Sequence, residues 1–249
     1  MAKDMDFLYQ ITENLKKVEA PVAIKGGLLL QMILQENHSD IERGTIDIDA
    51  SWLKESPDIM EMREVLKQAV QLSFPDYDVT IRRPYGEYQS AGFEIRNEAG
   101  KRITHLDIDV DKPTKTKQYT VGETTITGIS VEEMLSDKIS AISSPQIVRR
   151  TKDLLDVYAI TKSVLYDRID LLYRLSEKDL GDFSTLKSRK EDLRHGYEKL
   201  RGVTNKPDFE TVYETVSEYC SDLVNNMRNG VELIDSVEKL SAPTDAQTL

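Results

Sequence analysis

Residues 24–50 read IKGGLLLQMILQENHSDIERGTIDIDA, and this stretch decides the fold. A short apolar run at residues 21–24 leads into Gly26 and Gly27, and residues 28–35 have helical composition. Two adjacent glycines let the backbone turn sharply, and they let N–H groups approach an anion without interference from Cβ atoms. A helix that opens behind them adds its positive end at the same place. The stretch therefore predicts a cradle for phosphate.

The second half of the stretch carries two carboxylates on one predicted strand. Ile46, Ile48 and Ala50 alternate with Asp47 and Asp49, which is the period of a half-buried strand. Both carboxylates should therefore leave the same face, close enough to share a metal ion. A phosphate cradle followed by such a strand indicates Mg²⁺-assisted chemistry on a nucleotide.

A second strand with paired carboxylates lies further along the chain. Within residues 103–110, the side chains of His105, Asp107 and Asp109 fall on one face, and apolar residues alternate with them. Other short β-branched or aromatic segments predict further strands at residues 77–82 and 89–96, and one or two edge strands at 119–126. Residues 97–100 look like a hairpin connection.

After residue 128 the chain is almost wholly helical in pattern. Ser130 can cap a helix at 131–142 that makes Lys138 available to the site, and the following helix contains Asp153 and Asp156. Strands first and helices last predict an α+β fold, a mixed sheet with flanking helices followed by a helical bundle. The expected division is an α/β domain at 1–128, a helical domain at 129–240 contributing Lys138 and Asp153, and a flexible tail at 241–249.

Composition excludes several classes of protein. The 249 residues are 39% hydrophobic and 31% charged, and no apolar run approaches the roughly 20 residues that a membrane helix needs. The N-terminus lacks the apolar core of a signal peptide, and the single Cys220 cannot form an internal disulfide, so we expect a cytoplasmic protein without membrane association. The net charge of −11 argues against broad binding to nucleic-acid backbone, although basic clusters such as Arg82-Arg83 leave a local basic surface open.

Five motifs follow one another in an informative order: KGGLL at 25–29, RGTIDID at 43–49, LDI at 106–108, EEMLSDKI at 132–139 and RTKDLLD at 150–156. Through these motifs the chain resembles the AbiEii-type toxin nucleotidyltransferases. These are the toxins of type IV toxin–antitoxin and abortive-infection systems, within the polymerase-β-like nucleotidyltransferase superfamily. The helical remainder resembles the family in length and character only.

The resemblance implies transfer of a nucleoside monophosphate from an NTP to an acceptor, with pyrophosphate leaving. For some relatives the acceptor is the 3′ end of tRNA, and a cognate antitoxin is encoded nearby. Two Mg²⁺ ions held by Asp47, Asp49 and Asp107 would help to activate the nucleophile and neutralise charge. Asp109, on the same strand face, remains an alternative to Asp107 as the third carboxylate.

The resemblance also implies roles for residues around the carboxylates. Lys138 would lie against the triphosphate, and Asp153 would orient Lys138 or the nucleotide. Lys25, Gly26 and Gly27 would hold phosphate.

Two further residues keep open roles. Arg43 would pair with a phosphate or with a neighbouring acid. Thr45 would bind a phosphate or support the loop that leads to the carboxylates. Relatives in the superfamily commonly place Ser or Thr after the glycines, whereas this chain has Leu28. Backbone N–H groups and Lys25 alone would then hold that phosphate.

The sequence leaves three functions in competition. The first is a toxin that modifies RNA, with tRNA as the expected acceptor. The second keeps the chemistry but transfers the nucleotide to a protein or to a small molecule such as an aminoglycoside. The third is a noncatalytic nucleotide-binding module, against which the complete set Asp47, Asp49 and Asp107 counts.

Overall fold

The computed structural model describes residues 2–55, 57–85, 89–110, 115–178, 180–181 and 183–241. The predicted tail lies outside these residues from position 242 onward. The strands are β1 (Val22–Lys25), β2 (Glu42–Arg43), β3 (Ile48–Trp52), β4 (Asp78–Arg83), β5 (Ser90–Arg96), β6 (Arg102–Asp109), β7 (Thr116–Val121), β8 (Thr124–Ile129) and β9 (Val203–Thr204).

Helices alternate with the strands at first and then take over the chain. They are α1 (Ala2–Lys17), α2 (Gly26–Glu36), α3 (Ile59–Gln71), α4 (Val131–Ser143), α5 (Thr151–Ser163), α6 (Arg168–Ser176), α7 (Ser184–Ser188), α8 (Lys190–Glu198) and α9 (Phe209–Ser241), with a 3-10 turn at Ile147–Arg150 before α5. The predicted α+β fold, a mixed sheet followed by helices, is confirmed. None of the described helices is long and apolar enough to cross a membrane. The division at residue 128 stays a prediction.

Seven strands form one mixed sheet in the order β4-β5-β6-β3-β1-β8-β7. The central strand β3 pairs in parallel with β6 and antiparallel with β1. Of the two strands expected near residues 119–126, only β7 lies at an edge, because β8 pairs with β1. The parallel pairing of β3 and β6 brings the two carboxylate-bearing strands side by side.

One face of the sheet is apolar and buried. Phe93, Leu106 and Ile108 are shielded from solvent, and α3 packs against β4 and β5 while α2 packs against β1, β3 and β7. The alternating residues of β6, His105, Asp107 and Asp109, are half-buried on the other face, as the alternation predicts. Burial of the apolar face therefore fixes which side chains point toward the site.

The first carboxylate strand begins later than predicted. β3 starts at Ile48, and Ile46 is 72% exposed in the bend before it. The reason is a competing set of backbone partners: β2 pairs with β9, and the N–H of Gly44 donates to the carbonyl of Gly202 at 2.8 Å. Residues 43–47, called the carboxylate loop below, therefore approach the sheet from the helical part of the chain.

Ser130 caps the helix that carries Lys138. Its hydroxyl accepts a hydrogen bond from the N–H of Glu133 at 3.2 Å, which satisfies one of the free donors in the first turn of α4.

We expect Ser130→Ala to lower the free energy of unfolding by about 1 kcal/mol, because the N–H of Glu133 loses its partner in a buried setting. Urea denaturation followed by circular dichroism measures this loss. Ser188→Ala, which removes an exposed hydroxyl, is the matched control and should leave the free energy nearly unchanged. Equal losses in both variants would contradict the capping role.

Candidate active site

The register of β3 and β6 decides which carboxylates are neighbours. Asp49 lies directly opposite Asp107, whereas Asp109 lies opposite Ser51. Lys25 on β1 is opposite Asp49 on its other side. The predicted alternatives for the third carboxylate are therefore not equivalent, because Asp107 adjoins Asp49 and Asp109 is displaced along the strand.

Asp49 sits in an excess of negative charge. Burial and the neighbouring charge of Asp47 raise its pKa to about 6, with Asp107 adding to the rise and Lys25 and Lys138 opposing it. No ion pair of Asp49 is found among the described residues. A divalent cation would relieve this repulsion, and carboxylate oxygens are the ligands that Mg²⁺ prefers. The donor set around Asp49 thus fits a metal ion.

The other carboxylates already have partners. Asp47 accepts a hydrogen bond from the hydroxyl of Thr45 at 2.5 Å, and Nε2 of His105 lies 3.4 Å from its second oxygen. Lys25 pairs with Asp109. Within the described part of the chain, no three His, Cys, Asp or Glu side chains converge as a ready set of metal ligands. The Thr45 hydroxyl thus contacts a carboxylate of its own loop, and its binding of a phosphate stays a prediction.

Gly26 and Gly27 leave room for the carboxylate loop. Gly26 has φ = +65°, and a Cβ atom there would lie 2.0 Å from Oδ2 of Asp49. A Cβ atom on Gly27 would lie 2.7 Å from Nη1 of Arg43 and 3.0 Å from the Thr45 hydroxyl. Helix α2 begins at Gly26 without a side-chain cap, so its first N–H groups stay available to an anion. Leu28 is fully buried and faces the core.

Asp156 is the centre of a buried ion cluster. Its carboxylate is shielded from solvent, with Nζ of Lys138 2.5 Å from one oxygen and Nε of Arg43 2.8 Å from the other. Asp153 accepts a second hydrogen bond from Lys138 at 3.1 Å. The cluster joins α4, α5 and β2, and it shows that Arg43 pairs with an acid, one of its two predicted roles.

Lys138 keeps its charge in this setting. Burial alone would lower its pKa, but the negative charges of Asp156 and Asp153 outweigh burial and raise it. An ammonium group has three N–H donors, and the two aspartates take two of them. One donor is left for a ligand.

A cleft of about 340 Å³ lies where these groups meet. Five of the predicted site residues line it: Lys25, Gly26, Asp49, Lys138 and Asp153. Its volume is within the range of small-molecule sites. Gly27, Arg43, Thr45, Asp47 and Asp107 lie outside its lining, behind or beside it. The structure therefore places half of the predicted site residues around one open cleft.

Two contacts at the site were not predicted from the sequence. Asp156 follows Asp153 by one helical turn, and this spacing predicts a shared helix face but not a buried contact with Arg43. Arg82 belongs to a basic pair of the kind that usually lies in solvent. In the structure its Nη2 is 2.6 Å from Oδ1 of Asp107.

We expect Gly26→Ala to prevent NTP binding, because the new Cβ atom must displace Asp49. Gly100→Ala is a matched control, since Gly100 has φ = +71° but no atom within 4 Å of a Cβ atom. Both variants should lose about 1–2 kcal/mol of stability through the positive φ. Calorimetric titration with NTP and Mg²⁺ should show lost binding for Gly26→Ala only. If Gly26→Ala kept its affinity for NTP, the expected effect of a collision with Asp49 would be contradicted.

We also expect Asp156→Asn to destabilise the fold far more than Asp153→Asn. The first change leaves two buried cations short of a partner, at a cost of about 3–5 kcal/mol. The Asp153 side chain is 19% exposed, so water can compensate for its loss in part. Urea denaturation of both variants gives the comparison, and equal losses would show that Asp156 is not the anchor.

This chain is similar to a known protein family and to solved structures. The family described as nucleotidyl transferase AbiEii toxin, type IV TA system, matches residues 6–215. No curated protein sequence matches significantly. A solved nucleotidyltransferase-like protein from Paracoccidioides brasiliensis is similar at 13% identity and a TM-score of 0.45, over 77% of this chain and 92% of that one. The nucleotidyltransferase toxin MenT4 from Mycobacterium tuberculosis is similar at 12% identity and a TM-score of 0.38, over 91% and 92%.

Those two structural likenesses are distant, so the assignment rests on the sequence match, which covers most of the chain. The chain belongs to the AbiEii family of nucleotidyltransferase toxins.

Proposed function

We propose that the protein is a Mg²⁺-dependent nucleotidyltransferase that transfers a nucleoside monophosphate from an NTP to the 3′ end of an RNA, with tRNA as the expected acceptor. It would act in the cytoplasm as the toxin of a toxin–antitoxin pair, and family membership implies a cognate antitoxin. The observation that carries the proposal is the placement of Asp49 beside Asp107, together with the cleft that Asp49, Gly26 and Lys138 line.

Asp47 and Asp49 are the residues that would hold the metal. When bound, Mg²⁺ would neutralise triphosphate charge and favour ionisation of the attacking hydroxyl. The raised pKa of Asp49 and its lack of an ion pair among the described residues support this assignment. Thr45 would keep the Asp47 carboxylate oriented through its hydrogen bond.

The triphosphate would lie in the cleft between α2 and α4. Gly26, at the uncapped start of α2, and Lys138 both line that space. Asp156 and Asp153 would hold the ammonium in place, so that its charge meets the negative charge that develops on leaving pyrophosphate. Lys25 would contribute after release from Asp109.

Asp107 is the better-supported third carboxylate. It adjoins Asp49 in register, and its charge contributes to the raised pKa of Asp49, whereas Asp109 lies opposite Ser51. Its place beside the metal-binding strand suits a group that draws the proton from the acceptor hydroxyl.

The direct test is incubation with Mg²⁺, each α-³²P-labelled NTP in turn, and total cellular RNA plus protein, resolved on a gel. We expect label in the tRNA band, lost in Asp49→Asn. Label confined to the protein fraction would show that the acceptor is a protein and not an RNA. Label in no fraction, with NTP still bound, would contradict transfer to either macromolecule.

A pair of variants separates the two candidate third carboxylates. We expect Asp107→Asn to slow transfer by a factor of about 10² or more, because a general base is lost. Asp109→Asn keeps the same shape on the same strand face and should slow transfer much less. Single-turnover rates at saturating NTP give the comparison, and the reverse order would move the role to Asp109.

A further inference from the structure

A β-bulge directs two consecutive arginines at the same carboxylate. Neighbouring residues of a regular strand point to opposite faces, but the register of β4 against β5 shifts between Ile81 and Arg83. As a result, Nη2 of Arg82 lies 2.6 Å and Nη2 of Arg83 lies 3.1 Å from the same oxygen of Asp107. Bulges near active sites commonly redirect a side chain in this way.

Gly92 provides the space that this arrangement needs. It lies in the interior of β5, directly opposite Asp107. A Cβ atom there would be 3.1 Å from Nε and Nη2 of Arg82 and 3.3 Å from Asp107 Oδ1. Glycine weakens a strand interior and often marks a close approach of another group. The bulge and the glycine together allow the Arg82 guanidinium to lie close to the backbone of β5, beside Asp107.

The arginine pair and the cleft lie on opposite sides of Asp107. The sheet order places β4 and β5 on one side of β6, and β3 and β1, which carry Asp49 and Lys25, on the other. Both guanidinium side chains are 37% exposed. Arg82 hydrogen-bonds only Asp107 among the described residues, and its five N–H donors leave capacity for a ligand.

We propose that Arg82 and Arg83 bind a phosphodiester group of the acceptor RNA strand, next to the hydroxyl that Asp107 would serve. This inference rests on the proposed function. The chain carries a net charge of −11, so a polyanion needs local positive charge to approach the site. Arginine matches a phosphate with two parallel hydrogen bonds. Engagement of Asp107 in catalysis would release Arg82 from its carboxylate partner for that contact.

The test measures RNA and NTP binding separately. The probe for RNA is a short 5′-fluorescein-labelled single-stranded oligonucleotide with a free 3′ hydroxyl, titrated by fluorescence anisotropy at several NaCl concentrations. For the double variant Arg82→Gln, Arg83→Gln we expect Kd to rise about tenfold, and the salt slope to fall by about 0.7 for one lost phosphate contact. NTP affinity should stay unchanged.

Two further variants make the result specific. Arg168→Gln removes an exposed arginine that pairs with Asp222 in the helical part of the chain, and it should leave RNA affinity unchanged. Gly92→Ala keeps every charge but displaces the Arg82 guanidinium, so it should also weaken RNA binding.

Several results would overturn the proposal. Unchanged RNA affinity and salt slope in the double variant would contradict the proposed contact with RNA. Failure of the wild type to bind RNA would contradict it as well. A fall in NTP affinity would assign the pair to the triphosphate. Slower transfer with both affinities intact would make the arginines positioning residues for Asp107. Failure of the proposed function gives a different result, because the wild type would then bind RNA but would not label it. The binding measurements would still decide whether the two arginines contact RNA.

Discussion

The buried carboxylate of Asp156 holds the two parts of the candidate site together. It contacts Lys138 from α4 and Arg43 from the carboxylate loop, and it is itself part of α5. Removing each such charge from water costs several kcal/mol, and only attraction to well-placed opposite charges offsets this cost, so the position of each side chain depends on the other two. The lysine that faces the cleft and the loop that precedes Asp47 are thereby fixed relative to one another.

The charges around the cleft follow a pattern that singles out one residue. Asp107 faces Arg82 and Arg83, Asp109 faces Lys25, and Asp156 faces two cations. Asp49 differs, because it has no ion pair among the described residues. Burial and the charge of Asp47 raise its pKa. A cation at Asp49 would relieve this repulsion, so the electrostatics support the metal site that we propose.

Sequence reasoning was most successful where a signal is local. Alternation along β6 predicted the shared face of Asp107 and Asp109, and Ser130 predicted the start of α4. It was wrong about Ile46, because the pairing of β2 with β9 depends on residues far along the chain. The contact of Arg43 with Asp156 and the bulge at Arg82 are tertiary features of the same kind, and no local pattern encodes them.

The pairing of β2 with β9 also has a consequence for the order of synthesis. The carboxylate loop obtains its backbone partners from Gly202 and Val203, which are translated long after Asp47 and Asp49. A nascent chain that has not yet emerged past β9 has the two aspartates that we propose as metal ligands, but not the strand that positions the loop before Asp49. Maturation of the site is thus tied to translation past Val203.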